Sequence, residues 1–350
     1  MLSNMLCARM ALLLVCFQMY ADPSRGDGEM QMRGNGKMQL DLFNLYLQLP
    51  TDELAWEFDR VDYFAPDEIT YLINPRRLRG SDFLMRWSQG RWSEEIVIRA
   101  LNETSHFSVV PYGPSTVAPD DPAELELFFE KMDLIAQEGK RPDLLLYDKA
   151  VSDWVQDQLE HRLGSAEKMA ETSSARVRDV IARARAALEI ENSLWVTEKM
   201  PGFGKPFSRY TRGKNKGRIK PSGIIPTVIV KQEDIPRLQQ WEADHKIPIY
   251  VVHIFYDRGY FIKFDDVLAL LDSGELGMES QRFTNPDGTA ASPKLIVKVP
   301  YVLCKEFGTV SGPTLAPRTF VDKNGKVMTY VTFSGGEIRL APAVFEEWAR

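Results

Sequence analysis

The apolar positions of this chain fall into short blocks whose period switches between that of a helix and that of a strand. Leu125, Phe128, Phe129, Met132 and Ile135 recur at three- and four-residue spacing, which predicts a helix over 123–137 with one buried stripe. Gly139 is placed to stop it. The unbroken apolar run 144–147 predicts a short buried strand, and 188–195 predicts another. Residues 224–230 read as a strand and 233–246 as a helix. Strands at 248–256 and 259–264 pair across a tight turn at Asp257-Arg258, and 265–271 is helical. The stretch 165–187, rich in Ala, Arg and Glu, predicts a long helix. Residues 93–102 predict a helix with Ser93 as N-cap and acids in its first turn. Short helices are expected in 39–71 and a Pro-rich loop at 111–122. The C-terminal region reads as β-rich, with a hairpin turn at Asn324-Gly325. Strands and helices alternate through the middle, so the expected class is α/β (α+β) with a mixed central sheet flanked by helices. No repeat, heptad run or clean linker interrupts 38–350, which reads as a single elaborated domain.

Composition fits such a core. The 350 residues are 44% hydrophobic and 26% charged, with seven Trp and eighteen Phe, which excludes a largely disordered chain. Cys7, Cys16 and Cys304 form neither a disulfide framework nor zinc-ligand spacing, so the body reads as a reduced, cytoplasmic protein. His106, His161, His245 and His253 show no metal spacing either. His253, between apolar neighbours, reads as a satisfied core residue. Residues 1–37 differ from the rest. The apolar run 11–17 resembles a weak signal-peptide core, but Met19 three residues before a cut after Ala21 makes a poor cleavage site. The alternative is a start codon set too early, with folding beginning near Met38. A net charge of −6 argues against a uniformly basic nucleic-acid surface, but what matters is where the cations sit.

Candidate chemistry centres on three acids. Asp143 follows Pro142 and opens the apolar strand at 144–147. Glu189 and Glu191 are separated by one residue on a strand, so both point to one face, about 6–7 Å apart, while Leu188 and Ile190 point to the other. Pro-Asp is also a common turn dipeptide, and paired acids also occur on solvated edge strands. Together, however, an Asp at the start of one buried strand and an acid-x-acid pair on a second form a hard-oxygen set suited to Mg²⁺ beside a phosphate.

These elements resemble the PD-(D/E)xK nucleases, and among them type II restriction endonucleases of the AccI family. The residues that carry the resemblance begin with Gly90-Arg-Trp92-Ser-Glu94, Pro111-Tyr-Gly-Pro-Ser115 and Gly139-Lys-Arg-Pro-Asp143. They continue with Glu189-Ile-Glu191-Asn-Ser193, Glu198-Lys199-Met200, Thr227-Val-Ile-Val-Lys231-Gln-Glu233-Asp234, Trp241 and Val252-His-Ile-Phe-Tyr-Asp257. The resemblance covers about residues 86–275. It implies a restriction-endonuclease-like core with a β-rich C-terminal elaboration and Mg²⁺-dependent hydrolysis of duplex DNA at a short palindrome. It also implies a homodimer, and a cognate DNA methyltransferase in a restriction-modification system. Asp143 and Glu189 would hold the metal, and an acid on a preceding helix, Glu94 before Glu95 or Glu130, would approach a second position. Glu94 and Glu95 also suit a helix dipole alone. The chain departs from the pattern at Glu191, where a lysine is usual. Either Glu191 acts as base or ligand, or Lys199, displaced along the chain, supplies the charge.

The run 208–220 carries Arg209, Arg212, Lys214, Lys216, Arg218 and Lys220 with no acid, and suits phosphate contacts as well as a solvated loop. Lys231, closing an apolar strand, could reach a phosphate or simply snorkel. A second basic cluster joins Arg76, Arg77, Arg79, Arg86 and Arg91 to Trp87 and Trp92. Two other classes remain open at this stage. One is a secreted glycoside hydrolase, whose carboxylates stand about 5–5.5 or 6.5–9.5 Å apart. The other is a non-catalytic DNA-binding or scaffold protein.

Overall fold

The structure is a computed structural model that describes residues 81–113, 140–213, 215–220, 223–281, 294–321 and 327–349. The expected elements at 39–71 and 123–137, most of the loop 111–122, the turn at Asn324-Gly325 and residues 1–37 lie outside the described residues.

Helix α1 (Ser81–Asn102) precedes β1 (Phe107–Pro111), β2 (Leu144–Asp148), α2 (Ser152–Leu163) and β3 (Ala186–Asn192). A two-residue ribbon, β4 (Ser208–Arg209) and β5 (Ile219–Lys220), leads to β6 (Thr227–Lys231) and α3 (Ile235–His245). Next come β7 (Ile249–Ile254), β8 (Arg258–Lys263), α4 (Phe264–Asp272), β9 (Met278–Gln281) and β10 (Lys294–Pro300). The chain continues with β11 (Lys305–Ser311), β12 (Thr314–Val321), β13 (Val327–Ser334), β14 (Glu337–Leu340) and α5 (Pro342–Trp348).

Seven strands form the central sheet in the order β1-β2-β3-β7-β8-β11-β14. All neighbours are antiparallel except β3 and β7, which run parallel, so the sheet is mixed as expected. Its two faces bury separate cores. On one face Leu144, Leu188, Ile190 and Val252 meet Trp92 and Ile96 of α1, Tyr330 and Phe333 of β13, and Trp348 of α5. On the other, Leu145, Ala187 and Val251 meet α2, α3, α4 and the small sheet β6-β10-β9. Adjacent residues of β3 therefore serve opposite layers, and the face of Ala187 is the face of Glu189 and Glu191.

Two helical expectations change. Residues 165–187 do not form one helix. Gly164, with φ +84°, closes α2, and only 3-10 turns and the single turn Arg178–Ile181 follow before β3. Packing overrides helix propensity here: Met169, Val177, Val180 and Ile181 are buried against the sheet. Arg141 donates to the Thr172 carbonyl at 2.7 Å, and the Tyr112 and Ser174 hydroxyls meet at 2.8 Å, fixing the segment in its looped path. The second change is Ser93. It lies in the middle of α1 rather than at its start, with its hydroxyl donating to the Gly90 carbonyl. The same Oγ accepts from Asn192 Nδ2 at 3.2 Å, joining α1 to the end of β3. Among the described residues, no helix is long and apolar enough to cross a membrane.

Candidate active site

Asp143 is clamped from both sides. Its carbonyl accepts from the N–H groups of Tyr112 and Gly113 at 2.8 and 2.7 Å. Its Oδ2 accepts from the Ile190 N–H at 2.7 Å, which ties it to β3 between the two glutamates. The crossing of the 112–113 strand end over Asp143 is so close that a Cβ on Gly113 would stand 2.7 Å from Asp143 Cα and 2.9 Å from its Oδ1. Gly113→Ala is therefore expected to displace the carboxylate. A shift of about 1 Å costs on the order of 10²-fold in rate. Single-turnover cleavage should fall by that factor while circular dichroism shows a folded protein; cleavage within threefold of wild type would mean the crossing has slack.

Glu189 is buried, and its Oε1 is paired with the Lys140 ammonium. Lys140 also reaches Asp234 Oδ2, at 3.3 Å, just before α3. Beside them Lys231, the last residue of β6, donates to Glu191 Oε1 at 2.7 Å. The row Asp143–Glu189–Glu191 thus has a cation at each end of its glutamate pair. The residue Asp143 keeps some exposed surface, but its carboxyl group lies deep. Burial, then Glu94, push the Asp143 carboxyl above the usual range, against the pull of Lys140. Burial, then Asp143, do the same to Glu189, again opposed by Lys140. Burial pulls the Lys140 ammonium down, but Glu189, Asp143 and Asp234 outweigh it and hold the group charged. Lys231 is likewise held up by Glu191 against its burial.

Other expected residues fall into place around this row. Glu94 is buried on α1 and acts electrostatically on Asp143; because it sits mid-helix, the helix dipole does not account for it. Lys199 is exposed on the 3-10 turn Thr197–Lys199, and none of the charges that shift Asp143 or Glu189 is its own. Asp257 clasps that turn, accepting from the Thr197 N–H and hydroxyl, both at 2.7 Å, and from the Glu198 N–H at 3.1 Å. Trp241 Nε1 donates to the Tyr112 hydroxyl, and Trp92 Nε1 to the Gly335 carbonyl. Several residues of the sequence pattern therefore support the site rather than enter it.

Sequence reasoning missed Lys140 and Asp234 as members of the cluster and misjudged His253. A signal existed for Lys140: three buried acids need a nearby cation, and it lies three residues before Asp143. His253 is 1% exposed, as a core residue should be, yet neither ring nitrogen has a hydrogen-bond partner. Burial and then Lys231 lower it to about 3, so the imidazole is neutral.

The row opens on a cleft of about 1350 Å³ lined by Glu191, Lys231 and His253, with Arg86 and Gln89 of α1, and with Tyr210, Asn215 and Arg218 from the ribbon region. The basic run divides in two. Arg209 pairs with Glu275 at 2.9 Å, and Arg218 bonds the Gly274 carbonyl and Asn215, so these two dock the ribbon on the turn after α4. Arg212, Lys216 and Lys220 are exposed, with Lys220 over the Tyr210 ring. Lys214, Arg76, Arg77, Arg79 and Glu130 lie outside the described residues. Among the described residues, no three His, Cys, Asp or Glu side chains converge as a metal-ligand group.

Residues 71–201 match the model of a family described as AccI restriction endonuclease. The matched span holds Glu94, Lys140, Asp143, Glu189 and Glu191, and ends before Lys231 and His253. No curated protein and no solved structure matches the chain. Through the span that builds its carboxylate row, the chain is related to the AccI restriction endonucleases of type II and is a DNA-cleaving hydrolase.

Proposed function

We propose that the protein cuts duplex DNA at a short palindromic sequence in a Mg²⁺-dependent reaction of the PD-(D/E)xK type, in the cytoplasm. It would work as a homodimer in a restriction-modification system with a cognate methyltransferase. The observation that supports this best is the row Asp143–Glu189–Glu191, with Glu189 buried and Glu191 opening on a cleft that Lys231, Arg86 and Arg218 also line. A two-fold dimer would match the symmetry of a palindrome.

The donor set fits a hard divalent cation. Glu189 Oε2 is buried with no hydrogen-bond partner, and Asp143 lies close enough to push the Glu189 carboxyl up. Two carboxylates suffice for Mg²⁺, which commonly keeps several waters and takes phosphate oxygens as further ligands. Asp143 and Glu189 would hold it, with Glu94 near enough to Asp143 to bias the site's charge. When bound, the ion would supply Lewis-acid stabilisation of charge at phosphorus and lower the pKa of a coordinated water. The Ile190 N–H donates to Oδ2 and so orients the Asp143 carboxylate. Glu191, which lines the cleft, would take a proton from the attacking water. Arg212, Lys216 and Lys220 would contact the phosphodiester backbone.

The test is incubation of the purified full chain with phage DNA in Mg²⁺ and in EDTA, with the ends mapped. Discrete fragments in Mg²⁺ alone are expected. Intact DNA under every divalent ion tried would sink the reading. Hydrolysis of a glycoside that survives EDTA would replace it with the carboxylate-pair alternative.

A further inference from the structure

A buried histidine with no hydrogen-bond partner stands beside Lys231, which pairs with the carboxylate row and lines the open cleft. His253 is paired in register with Glu191 across the parallel strands β3 and β7, so the two side chains project from neighbouring positions of one sheet face. Phe255, two residues on, stacks on the imidazole at 4.6 Å with the planes 27° apart, fixing the ring's orientation. Neither Nδ1 nor Nε2 has a hydrogen-bond partner, yet the ring lines the cleft. A buried imidazole left so is costly unless something entering the cleft bonds to it. Lys231 reaches the same point from the other sheet. Its ammonium gives one hydrogen bond to Glu191 and has two further donors, and the side chain is 39% exposed at the cleft against 18% for Glu191. Arg86, Arg218 and Lys298 also line the cleft, but Lys298 pairs with Glu279 and Arg218 with Asn215 and Gly274, away from the row.

We propose that Lys231 and His253 form a pocket for the non-bridging oxygens of the scissile phosphodiester, with Glu191 between them. The ammonium and one imidazole N–H converge on that phosphate, and Glu191 both positions Lys231 and faces the attacking water. In the reaction the water oxygen bonds to phosphorus and its proton passes to Glu191. The P–O bond to the leaving strand breaks, the departing oxygen takes a proton from solvent water in the open cleft, and the extra negative charge on the non-bridging oxygens falls against Lys231 and His253. Nothing in this arrangement involves Lys199. The proposal rests on the nuclease reading and adds two groups that lie beyond the span matching the family.

The full-length protein is assayed by single-turnover cleavage in Mg²⁺, with DNA affinity measured separately by fluorescence anisotropy in Ca²⁺. Lys231→Met is expected to slow cleavage by roughly 10²–10³-fold with affinity within about threefold, and Lys231→Arg to restore part of the rate. His253→Phe is expected to slow it by roughly 10-fold or more; His253→Asn serves as the second variant if the Phe ring disturbs packing. Once the cut position is mapped, sulfur is placed at each non-bridging oxygen of that phosphate. One diastereomer should slow the wild type and slow His253→Phe much less, because the contact it weakens is already gone. Folded Lys231→Met or His253 variants that cleave within threefold of wild type, or undiminished sulfur effects in them, would overturn the pocket. If the wild type itself cuts no DNA, the nuclease reading fails instead.

Discussion

Asp143→Asn is expected to abolish cleavage while leaving the fold at least as stable as before. The substitution keeps the shape of the side chain, and an amide oxygen can still accept from the Ile190 N–H. What it removes is a charge. A metal ligand contributes several kcal/mol of transition-state stabilisation, so the loss should be on the order of 10³-fold or more. Stability should move the other way. Burial and Glu94 push the Asp143 carboxyl up, which means that the native fold opposes its ionised form when no divalent ion is present. A neutral amide relieves that opposition, and the melting temperature in chelator should rise by about 2 °C for each kcal/mol relieved. Cleavage and melting curves on one preparation check both. Retained cleavage would remove Asp143 from the site, and a fall of many degrees would show that its charge holds the fold together.

The second large effect lies far from the chemistry. Trp348 closes α5 and is fully buried against Phe107 of β1, Tyr250 of β7, Phe261 of β8 and Phe307 of β11, with ring centroids 5.1–6.3 Å away. One side chain thus packs on strands from across the central sheet. Trp348→Ala should cost about 3–5 kcal/mol, since it removes a large apolar group and leaves a cavity that rigid strands cannot fill. Denaturant unfolding would show the midpoint fall with the slope unchanged. A loss under about 1 kcal/mol would mean that the aromatic cluster closes over the gap.

The contrast between these two residues shows what a sequence exposes and what it hides. The placement of Asp143, Glu189 and Glu191 side by side was legible because it depends on local rules: a Pro-Asp entry to an apolar strand, and a two-residue alternation that puts both glutamates on one face. The pair β7 and β8 was legible for the same reason. Lys140 and Asp234 look like ordinary polar residues at element ends, and only the tertiary fold gathers them around the acids; Lys231 stood out as a candidate phosphate contact, but its partner did not. The pairing of Lys231 with Glu191 spans forty positions. Helix α2 escaped notice because it buries little more than Val155 and Leu159, too few positions to leave a periodic signature. The segment at 165–187 failed in the opposite sense. Its composition favours a helix and its buried residues even keep helical spacing, but hydrogen bonds from Arg141 to the Thr172 carbonyl and between Tyr112 and Ser174, made to other elements, hold it in a looped path. His253 was correctly placed in the interior, yet whether a buried ring finds partners depends on neighbours from other strands.

The pairing of the small sheet has a consequence for timing during synthesis. β6 carries Lys231, and its hydrogen-bonded neighbour is β10, which leaves the ribosome about sixty residues later. At roughly 5–20 residues per second that interval lasts several seconds. Throughout it the acids of β3 already exist, but the strand that brings the lysine lacks its hydrogen-bonded neighbour. A half-made chain therefore holds an incomplete site. Chain order thus delays the pairing of Lys231 with Glu191 in its finished setting until the protein is nearly complete.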